Sequence, residues 1–374
     1  MRIINRKIVM YIYQSDNWAK FIWDKDLISN KLLSVNKKAG FLSGRLNALG
    51  FDSCLKAMTD TITNDVIDSY KIEGVNLDSD MVRSSVARKL GVELPKHKEP
   101  THYIDGIVEM MLDATANYSK PLTEKRLFIW HCALFPSNKS GINEINVGKY
   151  RINGMKVVSG SLGREKVHYQ APEAEQIPEM MSQFLQWYNF DTNNVTYLKS
   201  AIAHLYFISI HPFDDGNGRM ARAISDMALS QADNSKMRFF SMSNQINTEK
   251  KHYYDILERT QKGNGDITEW LMWYLSCMER AIDKSNDNLS MVVAKSIFWQ
   301  KHSQVVMSER QKDMLNIWLD GYDGKLTAKN WAKLSQKSLD TALRDIDDLI
   351  TKQILIPKDG AQRNVEYDIN MLND

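Results

Sequence analysis

Apolar side chains recur at intervals of three or four residues through most of the chain, as at Leu42 and Leu46. That spacing places them on one face of an amphipathic helix. Residues 1–95 and 101–283 are therefore both predicted to be mainly helical, and a polar, proline-bounded break separates them at 92–100. The pattern predicts a mainly α fold.

Two segments depart from this helical pattern. At 157–169, β-favouring residues flank a glycine-containing turn, which predicts a hairpin inserted into a helical domain. After a helix or linker at 284–308, the last segment has the pattern of three helices and a terminal hairpin. The predicted domains are an N-terminal helical domain at 1–98, a core at 99–285, and a linker helix with a C-terminal domain at 286–374.

The composition indicates which class of protein the chain belongs to. Hydrophobic residues make up 43% and charged residues 25%, and 48 basic against 46 acidic side chains give a net charge of +2. Such a balance is typical of a soluble globular protein and gives no overall electrostatic case for nucleic acid or membrane. Cys54, Cys132 and Cys277 are too far apart for a metal motif or a disulfide framework. Residues 1–18 lack the features of a signal peptide and favour a strand or arm, so we expect a reduced, cytoplasmic protein without membrane partners.

The most informative stretch is a predicted helix, a tight loop and a second helix. Nearly every residue before His211 is apolar, so the first helix should be buried on all sides. Pro212 ends that helix. Gly216 and Gly218 flank Asn217, and all three suit unusual backbone angles. An amphipathic helix follows these glycines.

Residue types in this stretch fit chemistry at a phosphate. The free N–H groups and the positive dipole end of the second helix can bind phosphate. Arg219 and Arg222 are three residues apart, so both could reach the same anion. Asp215 offers a hard oxygen ligand for Mg²⁺ that phosphates already chelate. His211 could take a proton from an attacking hydroxyl, which completes the parts that transfer at phosphorus requires.

Similar fragments elsewhere carry less meaning. Residues 263–265 repeat Gly-Asn-Gly without paired arginines or a base beside them, so we interpret them as an ordinary loop. A metallohydrolase with His204 and His211 as ligands is a poor alternative, because no third ligand has a recognisable spacing and the arginines stay unexplained.

Residues 211–222, HPFDDGNGRMAR, resemble the Fic motif HPFx(D/E)GNGRxxR at every fixed position. The resemblance implies a helical Fic core that uses ATP and Mg²⁺ to move AMP onto a Ser, Thr or Tyr hydroxyl of a target protein, or of the protein itself. By position, the implied roles are His211 as base, Phe213 as loop anchor, Asp215 as metal ligand, Gly216, Asn217 and Gly218 as anion hole, and Arg219 and Arg222 as holders of the β- and γ-phosphates. Doc-type relatives, which phosphorylate their targets, have lysine where this chain has Gly218, so nucleotide transfer is favoured.

Two further segments resemble parts of the Fic site. The predicted hairpin is similar to the Fic flap, whose strand edge aligns the target segment by main-chain pairing. An ordinary surface hairpin is the alternative. Tyr253 and Gln261 match the stretch that shapes the adenine pocket, although Tyr253 alone fits a core residue equally well. The flap positions are Lys166, Val167, His168 and Tyr169.

Ser69, Glu73 and Gly74 resemble the Fic inhibitory motif (S/T)xxxE(G/N). Ser69 and Glu73 are four residues apart and should share a helix face, and Gly74 suits a C-terminal cap. The Glu73 carboxylate is expected to form a bidentate contact with Arg222 and so block the γ-phosphate. The alternative is an ordinary helix that ends in Glu-Gly.

Residues 326–349 resemble a winged helix-turn-helix, whose last helix would normally enter the DNA major groove. Residues 301–374 contain 11 basic and 12 acidic side chains, which argues against strong DNA binding. Protein docking or dimerisation, and simple packing, stay open beside DNA binding. The charged residues of the last helix and its end are Asp340, Arg344, Asp345, Asp347, Asp348 and Lys352.

Three functions follow from these features. The first is an AMP transferase inhibited through Glu73, in a layout that resembles a bacterial Fic class and could form a homodimer. The second is a hydrolase at the same site that removes AMP from a modified protein, with Glu73 positioning water. The third is an ATP-sensing, DNA-binding regulator. An intact His211 speaks against a purely sensory core, because binding alone does not require a base.

Overall fold

The computed structural model describes residues 10–47, 51–94, 98–161, 163–191, 196–358 and 365–371. Over these residues the fold is mainly α with small antiparallel strand pairs, which confirms the predicted class. Contacts divide the chain into two compact units, 1–284 and 285–374. No helix in the described part of the chain has the length and apolarity that a membrane crossing requires.

The N-terminal part of the first unit is helical, as predicted. The predicted strand or arm at 1–9 lies outside the described residues. Helix α2 ends in a Schellman motif, since Gly74 donates to the carbonyl of Lys71 and Val75 to that of Tyr70, each at 3.0 Å. Gly74 takes the left-handed conformation that this motif needs, with φ of 79°. The elements are a 3-10 helix at Ile12–Gln14, α1 at Lys25–Asn47, α2 at Phe51–Ile72 and α3 at Ser79–Leu90.

Further helices of this unit surround one central pair. Helix α7 is buried on every face, as its apolar sequence predicts, and it packs along α8. Helix α8 also contacts α4 and α5 of the predicted core and α2 of the N-terminal part, so α2 packs directly on the predicted core. The helices are α4 at His102–Ala116, α5 at Glu124–Leu134, α6 at Ile177–Phe190, α7 at Tyr197–Ile210, α8 at Asn217–Asp233, α9 at Met242–Thr248, α10 at Lys250–Gln261 and α11 at Thr268–Lys301.

In the described part of the first unit, two small hairpins interrupt the helices, where the sequence predicted one. The predicted hairpin is present, and its register shifts between Val157 and Val158. The second hairpin was missed because its strands are only two residues long. Asn138 precedes its first strand and Gly141 lies in its turn, with φ of 56° and 59°. The strands are β1 at Lys139–Ser140, β2 at Asn143–Glu144, β3 at Lys156–Ser159 and β4 at Lys166–Gln170.

The unit at 285–374 has the predicted order of three helices and a hairpin. The segment at 284–308, predicted as a helix or linker, is helical up to Lys301, where α11 ends. A compact apolar core includes Leu315, Trp331 and Ile346. The turn of the hairpin, 359–364, lies outside the described residues. The elements are α12 at Glu309–Leu319, α13 at Ala328–Ser335, α14 at Leu339–Thr351, β5 at Leu355–Pro357 and β6 at Tyr367–Ile369.

Candidate active site

The stretch between α7 and α8 forms the predicted tight loop. His211 follows the last residue of α7 and is left-handed, with φ of 53° and ψ of 57°. Gly216, with φ of 84°, immediately precedes α8. The Asn217 side chain closes the loop, because its Oδ1 accepts from the Phe213 amide at 3.0 Å and its Nδ2 donates to the Phe213 carbonyl at 2.8 Å. This side chain leaves the N–H groups at the start of α8 available to a ligand.

His131 supports this loop from α5, and the sequence pattern gave no sign of it. Its ring stacks on Phe213, with centroids 4.2 Å apart. Its Nδ1 accepts from the Gly148 amide at 3.1 Å, so its Nε2 carries the proton donated to the Asp215 carbonyl at 3.1 Å. Burial lowers the pKa of His131 and favours this neutral form.

His211 has the protonation state of a base. Its Nδ1 lies 3.2 Å from the Ile208 carbonyl, which can only accept, so Nδ1 carries the proton and Nε2 is left to accept another. Burial lowers the pKa of His211 to about 4, and the positive charge of Arg151 acts in the same direction. The Ile208 hydrogen bond and the Asp215 and Glu73 carboxylates oppose this shift. The imidazole is therefore neutral near pH 7.

A cavity of about 520 Å³ opens beside the loop. This volume is within the usual range for small-molecule sites. The loop, the β3–β4 hairpin, α10 and Glu73 together line the cavity, so segments far apart in sequence meet there. The lining residues are Glu73, Val157, Val158, Ser159, His168, Tyr169, Ile208, His211, Asp214, Asp215, Gly216, Asn217, Gly218, Tyr253, Tyr254, Leu257, Glu258 and Gln261.

Arg222 is held by the predicted inhibitory segment. Its Nε donates to the Ser69 hydroxyl at 2.9 Å, and its Nη2 donates to the Ser69 carbonyl and to Glu73 Oε1, both at 2.7 Å. The expected bidentate contact is wrong, because the contact joins Glu73 Oε1 to Nη2 alone, and Nη1, the other donor at that end of the guanidinium, has no hydrogen-bond partner among the described residues. Helix α2 ends at Ile72, so Glu73 lies in the Schellman turn just beyond the helix that carries Ser69.

Arg219 is also buried, at 5% exposure. Its guanidinium lies 4.9 Å from the Tyr70 ring centroid and 4.8 Å from that of Phe135. Its Nη2 is 3.5 Å from Asp215 Oδ2. Neither Arg219 nor Arg222 lines the cavity, so the structure does not bring both guanidinium groups to one open anion site.

Asp215 fits a metal that arrives with a nucleotide. Its side chain is 42% exposed and lines the cavity. The Ser140 hydroxyl donates to one oxygen and the Gly216 amide to the other, at 2.5 Å for the amide. Mg²⁺ usually takes one or two carboxylates and completes its shell with phosphates and water. No group of three or more His, Cys, Asp or Glu side chains forms a metal site within the described ranges, so a protein-only cage is not the arrangement seen.

The predicted flap is the β3–β4 hairpin. Tyr169 anchors it, since its hydroxyl donates to the Ser209 carbonyl at 2.5 Å. His168 lies between the Ser159 hydroxyl at 2.5 Å and Glu258 of α10 at 2.6 Å. Burial alone would raise the pKa of Glu258, but hydrogen bonds from Lys262 and His168 outweigh it and lower the pKa to about 2. Glu258 is therefore a carboxylate at neutral pH and can only accept, so Nδ1 of His168 donates this hydrogen bond. The exposed flap positions are Lys166 and Val167.

Tyr253 and Gln261 both line the cavity, although both are buried. The Tyr253 hydroxyl is 2.9 Å from His204 Nε2, and Gln261 Nε2 donates to the Ser209 hydroxyl at 3.2 Å. His204 Nδ1 is 3.1 Å from the Ser225 hydroxyl. Both ring nitrogens of His204 are thus hydrogen-bonded to hydroxyl groups, and the bond to the Tyr253 hydroxyl holds the Tyr253 side chain in place. Tyr253 belongs to the core and to the cavity wall at once.

Comparisons with known proteins find similarity to the Fic/DOC family over part of the chain. Residues 121–229 match the Fic/DOC family model, and residues 11–92 match a domain of unknown function, DUF4172. The protein adenylyltransferase Fic of Culex quinquefasciatus is 27% identical over 259 residues, which cover 67% of this chain and 46% of that protein. The chain therefore spans about half the length of this curated relative.

Two solved structures share the fold. A Fic family protein from Desulfovibrio desulfuricans G20 superposes with a TM-score of 0.54 and 17% identity, covering 94% of this chain and 98% of its own. A Fic domain containing signaling protein from Bacteroides thetaiotaomicron VPI-5482 gives a TM-score of 0.51 and 20% identity, over 67% of this chain and 95% of its own. The first superposition includes both compact units of this chain.

Proposed function

From the premise that residues 121–229 form a domain of the Fic/DOC family, we propose that the protein is an adenylyltransferase. It moves AMP from ATP onto a hydroxyl side chain of a target protein, or of itself. One observation carries the proposal: a neutral His211 lines the same cavity as the helix N-terminus at Gly216 to Gly218. A base beside an anion-binding helix end is the pair of groups that hydroxyl attack on phosphate requires.

The reaction follows from the positions of these groups. The N–H groups at the start of α8 hold the phosphates, and Nε2 of His211 accepts the hydroxyl proton. The hydroxyl oxygen bonds to the α-phosphorus, and the bond from that phosphorus to the bridging oxygen breaks. Its electron pair leaves with pyrophosphate. Mg²⁺, brought by the nucleotide and held by Asp215, would neutralise charge on the leaving group.

The flap supports a protein substrate. Lys166 and Val167 on β4 are exposed, and within the described residues β3 and β4 pair with no other strand. An extended target segment could add to this two-stranded edge by main-chain hydrogen bonds and so bring its hydroxyl to the cavity. Specificity would then depend on the target's backbone shape more than on a deep side-chain pocket.

Glu73 is proposed to inhibit the transfer. Its carboxylate contacts Arg222 at 2.7 Å, and a β-carbon built on Gly218 would collide with its Oε1. The carboxylate therefore covers the start of α8, where phosphate would bind. ATP would have to displace it to reach both the helix end and Arg222.

Labelled ATP tests the transfer and its inhibition together. We expect Glu73→Gly to raise self-modification about 10-fold or more, within the usual range of regulatory couplings. Adding His211→Ala to that variant should lower the rate by on the order of 10²–10⁴. Glu249→Gln is the matched control, because Glu249 forms a similar ion pair with Arg280 at 2.6 Å but does not line the cavity. Equal rates in wild type and Glu73→Gly would remove the inhibitory role.

A hydrolase that removes AMP from a modified protein is the second candidate. It rests on Glu73, a carboxylate in the same cavity as His211 that could orient a water molecule. Mass spectrometry of a target already carrying AMP separates the two activities. Loss of AMP with wild type, but not with Glu73→Gly, would favour the hydrolase.

The C-terminal unit supports protein docking better than DNA binding. Five residues in the first part of α14 are exposed, of which two are aspartates, one is an arginine and two are leucines. Phosphate contacts need a surplus of cations, which this face lacks. Retention on DNA at low salt would contradict this assignment. The exposed residues are Leu339, Asp340, Leu343, Arg344 and Asp347.

A further inference from the structure

Arg151 lies between the His211 loop and the end of the flap, and it is only 2% exposed. Its Nε donates to the His211 carbonyl at 2.8 Å, its Nη1 to the Asn153 carbonyl at 2.7 Å and its Nη2 to the Pro172 carbonyl at 2.6 Å. Its main-chain amide donates to the Pro212 carbonyl at 2.9 Å. One residue thus fixes two consecutive carbonyls of the loop.

Those carbonyls belong to a strained part of the backbone. His211 is left-handed, a conformation that is sterically unfavourable for a residue with a β-carbon. Such conformations persist only where the surroundings hold them. The Ile208 hydrogen bond holds the ring of His211, whereas Arg151 holds its main chain. Both are needed to fix the direction of Nε2.

The charge of Arg151 has a second effect. The charged groups that face His211 are Arg151 from the segment before β3, Asp215 from the loop and Glu73 from the end of α2. The guanidinium lowers the pKa of His211, and the two carboxylates raise it. Arginine stays charged although burial lowers its own pKa. The groups that face Arg151 are Glu173, Asp214, Tyr169 and Tyr13.

We propose that Arg151 is a positioning residue for the transfer reaction, which holds the main chain of His211 in its left-handed conformation. Its bond to Pro172 also ties this loop to the chain that leaves β4, which ends at Gln170. The inference rests on the proposed function, because it requires His211 to be the base. A shift of the flap and a shift of the base would then be coupled through one side chain.

Two substitutions separate geometry from charge, both made in the active Glu73→Gly background. Arg151→Lys keeps the positive charge but cannot donate in three directions. We expect it to lower kcat about 10-fold with little change in the KM for ATP. Arg151→Gln also removes the charge, and we expect a loss on the order of 10²-fold, the size of effect that a misplaced base gives. The acid limb of the pH profile should move to higher pH only in Arg151→Gln.

The titration of His211, followed by NMR in nucleotide-free protein, needs no activity. Its pKa should rise in Arg151→Gln and stay near the parent value in Arg151→Lys. If the Glu73→Gly parent is inactive but the pKa of His211 still rises only in Arg151→Gln, the proposed function is refuted. The contact between Arg151 and His211 is supported in that case. An unchanged titration in Arg151→Gln would overturn the inference even if the parent is active.

Arg126 provides the matched control. It is also largely buried in the same unit and donates to the Asp113 carboxylate and to the Asp113 carbonyl, both at 2.7 Å. Its other hydrogen bonds go to main-chain carbonyls at 117–121, whereas those of Arg151 go to the His211 loop and to the chain after the flap. Arg126→Lys should lower the melting temperature and leave kcat and the His211 titration unchanged. Variants are compared only after circular dichroism and melting show that they fold. A parental kcat in folded Arg151→Lys is by itself enough to reject the positioning role.

Discussion

Two Gly-Asn-Gly turns in the first unit have opposite structural roles. At 216–218 the turn begins helix α8, and its asparagine is 2% exposed, with the side chain bonded to Phe213. At 263–265 the turn follows helix α10, and its asparagine is exposed. The first turn leaves helix N–H groups beside a cavity. The second comes after the end of a helix.

The second turn fastens the N-terminal segment to the unit. The Asn264 carbonyl accepts from the Ser15 hydroxyl at 2.5 Å and from the Asn17 side chain at 3.1 Å. The Gly265 carbonyl accepts from the Ile22 amide at 3.0 Å. These carbonyls are main-chain groups, so the identity of the asparagine matters little there. At the first turn the asparagine side chain itself forms the bonds, which is why residue type carries more information at 216–218.

The largest contrast should appear when each asparagine is changed to alanine. Asn217→Ala removes both bonds that close the loop, and we expect the transfer rate to fall by on the order of 10²-fold. Asn264→Ala loses only a bond from the Asp266 amide and should stay within about twofold of the parent rate. Steady-state rates in the Glu73→Gly background provide the measurement. Equal losses in both variants would remove the functional distinction between the turns.

Alanine at the left-handed glycines should separate activity from stability. Gly216 and Gly265 have φ of 84° and 94°, so each change costs about 1 kcal/mol in backbone strain alone. A β-carbon at Gly216 would lie 2.9 Å from the Phe135 ring, and one at Gly265 would lie 2.5 Å from Asn17 Cβ. We expect both variants to melt at lower temperature, but only Gly216→Ala to lose activity per folded molecule. Nucleotide titration and melting curves distinguish these outcomes.

The last expected effect, on stability rather than on activity, concerns a buried acidic pair behind the first turn. Asp226 on α8 and Asp65 on α2 share one nearby cation, Arg238. Burial first, and Asp226 second, raise the pKa of Asp65 to about 8. In the unfolded chain this pKa is about 4, so the native state keeps a proton that the unfolded state loses between these values. The free energy of unfolding should therefore fall as pH rises from about 4 to about 8.

Asp65→Asn tests that pH dependence. The amide cannot titrate, yet its oxygen can still accept from the Ser241 hydroxyl and the Ser243 amide. We expect the melting temperature of the variant to exceed that of the parent near pH 8 and the difference to shrink towards pH 4. Parallel melting curves at every pH would show that Asp65 is already ionised in the native state.

The sequence predicted the loop at 211–218 because its residues are neighbours in the chain, so that their spacing is enough to place them in one tight turn between two helices. It could not reveal Ser140, His131 or Arg151, which reach the same loop from separate segments. Hairpin β1–β2 was also not predicted, because a two-residue strand is too short to show an alternation of apolar and polar residues. The Glu73 contact was predicted as a pairing but not in its geometry, because Ser69 competes for the same guanidinium.

Helix α2 contributes Met58, Ile62, Val66 and Tyr70 to the apolar core and packs along α9. A shortened chain that began after residue 92 would uncover the matching apolar strip on its neighbours and would be prone to aggregate. Activation by detaching the whole helix is for this reason costly. Glu73 is 31% exposed at the side chain and lies beyond the last helical turn, so rotation about its own bonds can remove its carboxylate from Arg222, which Ser69 continues to hold. If Glu73 inhibits as proposed, a small molecule or peptide that binds this one carboxylate would expose the start of α8 without detaching the helix.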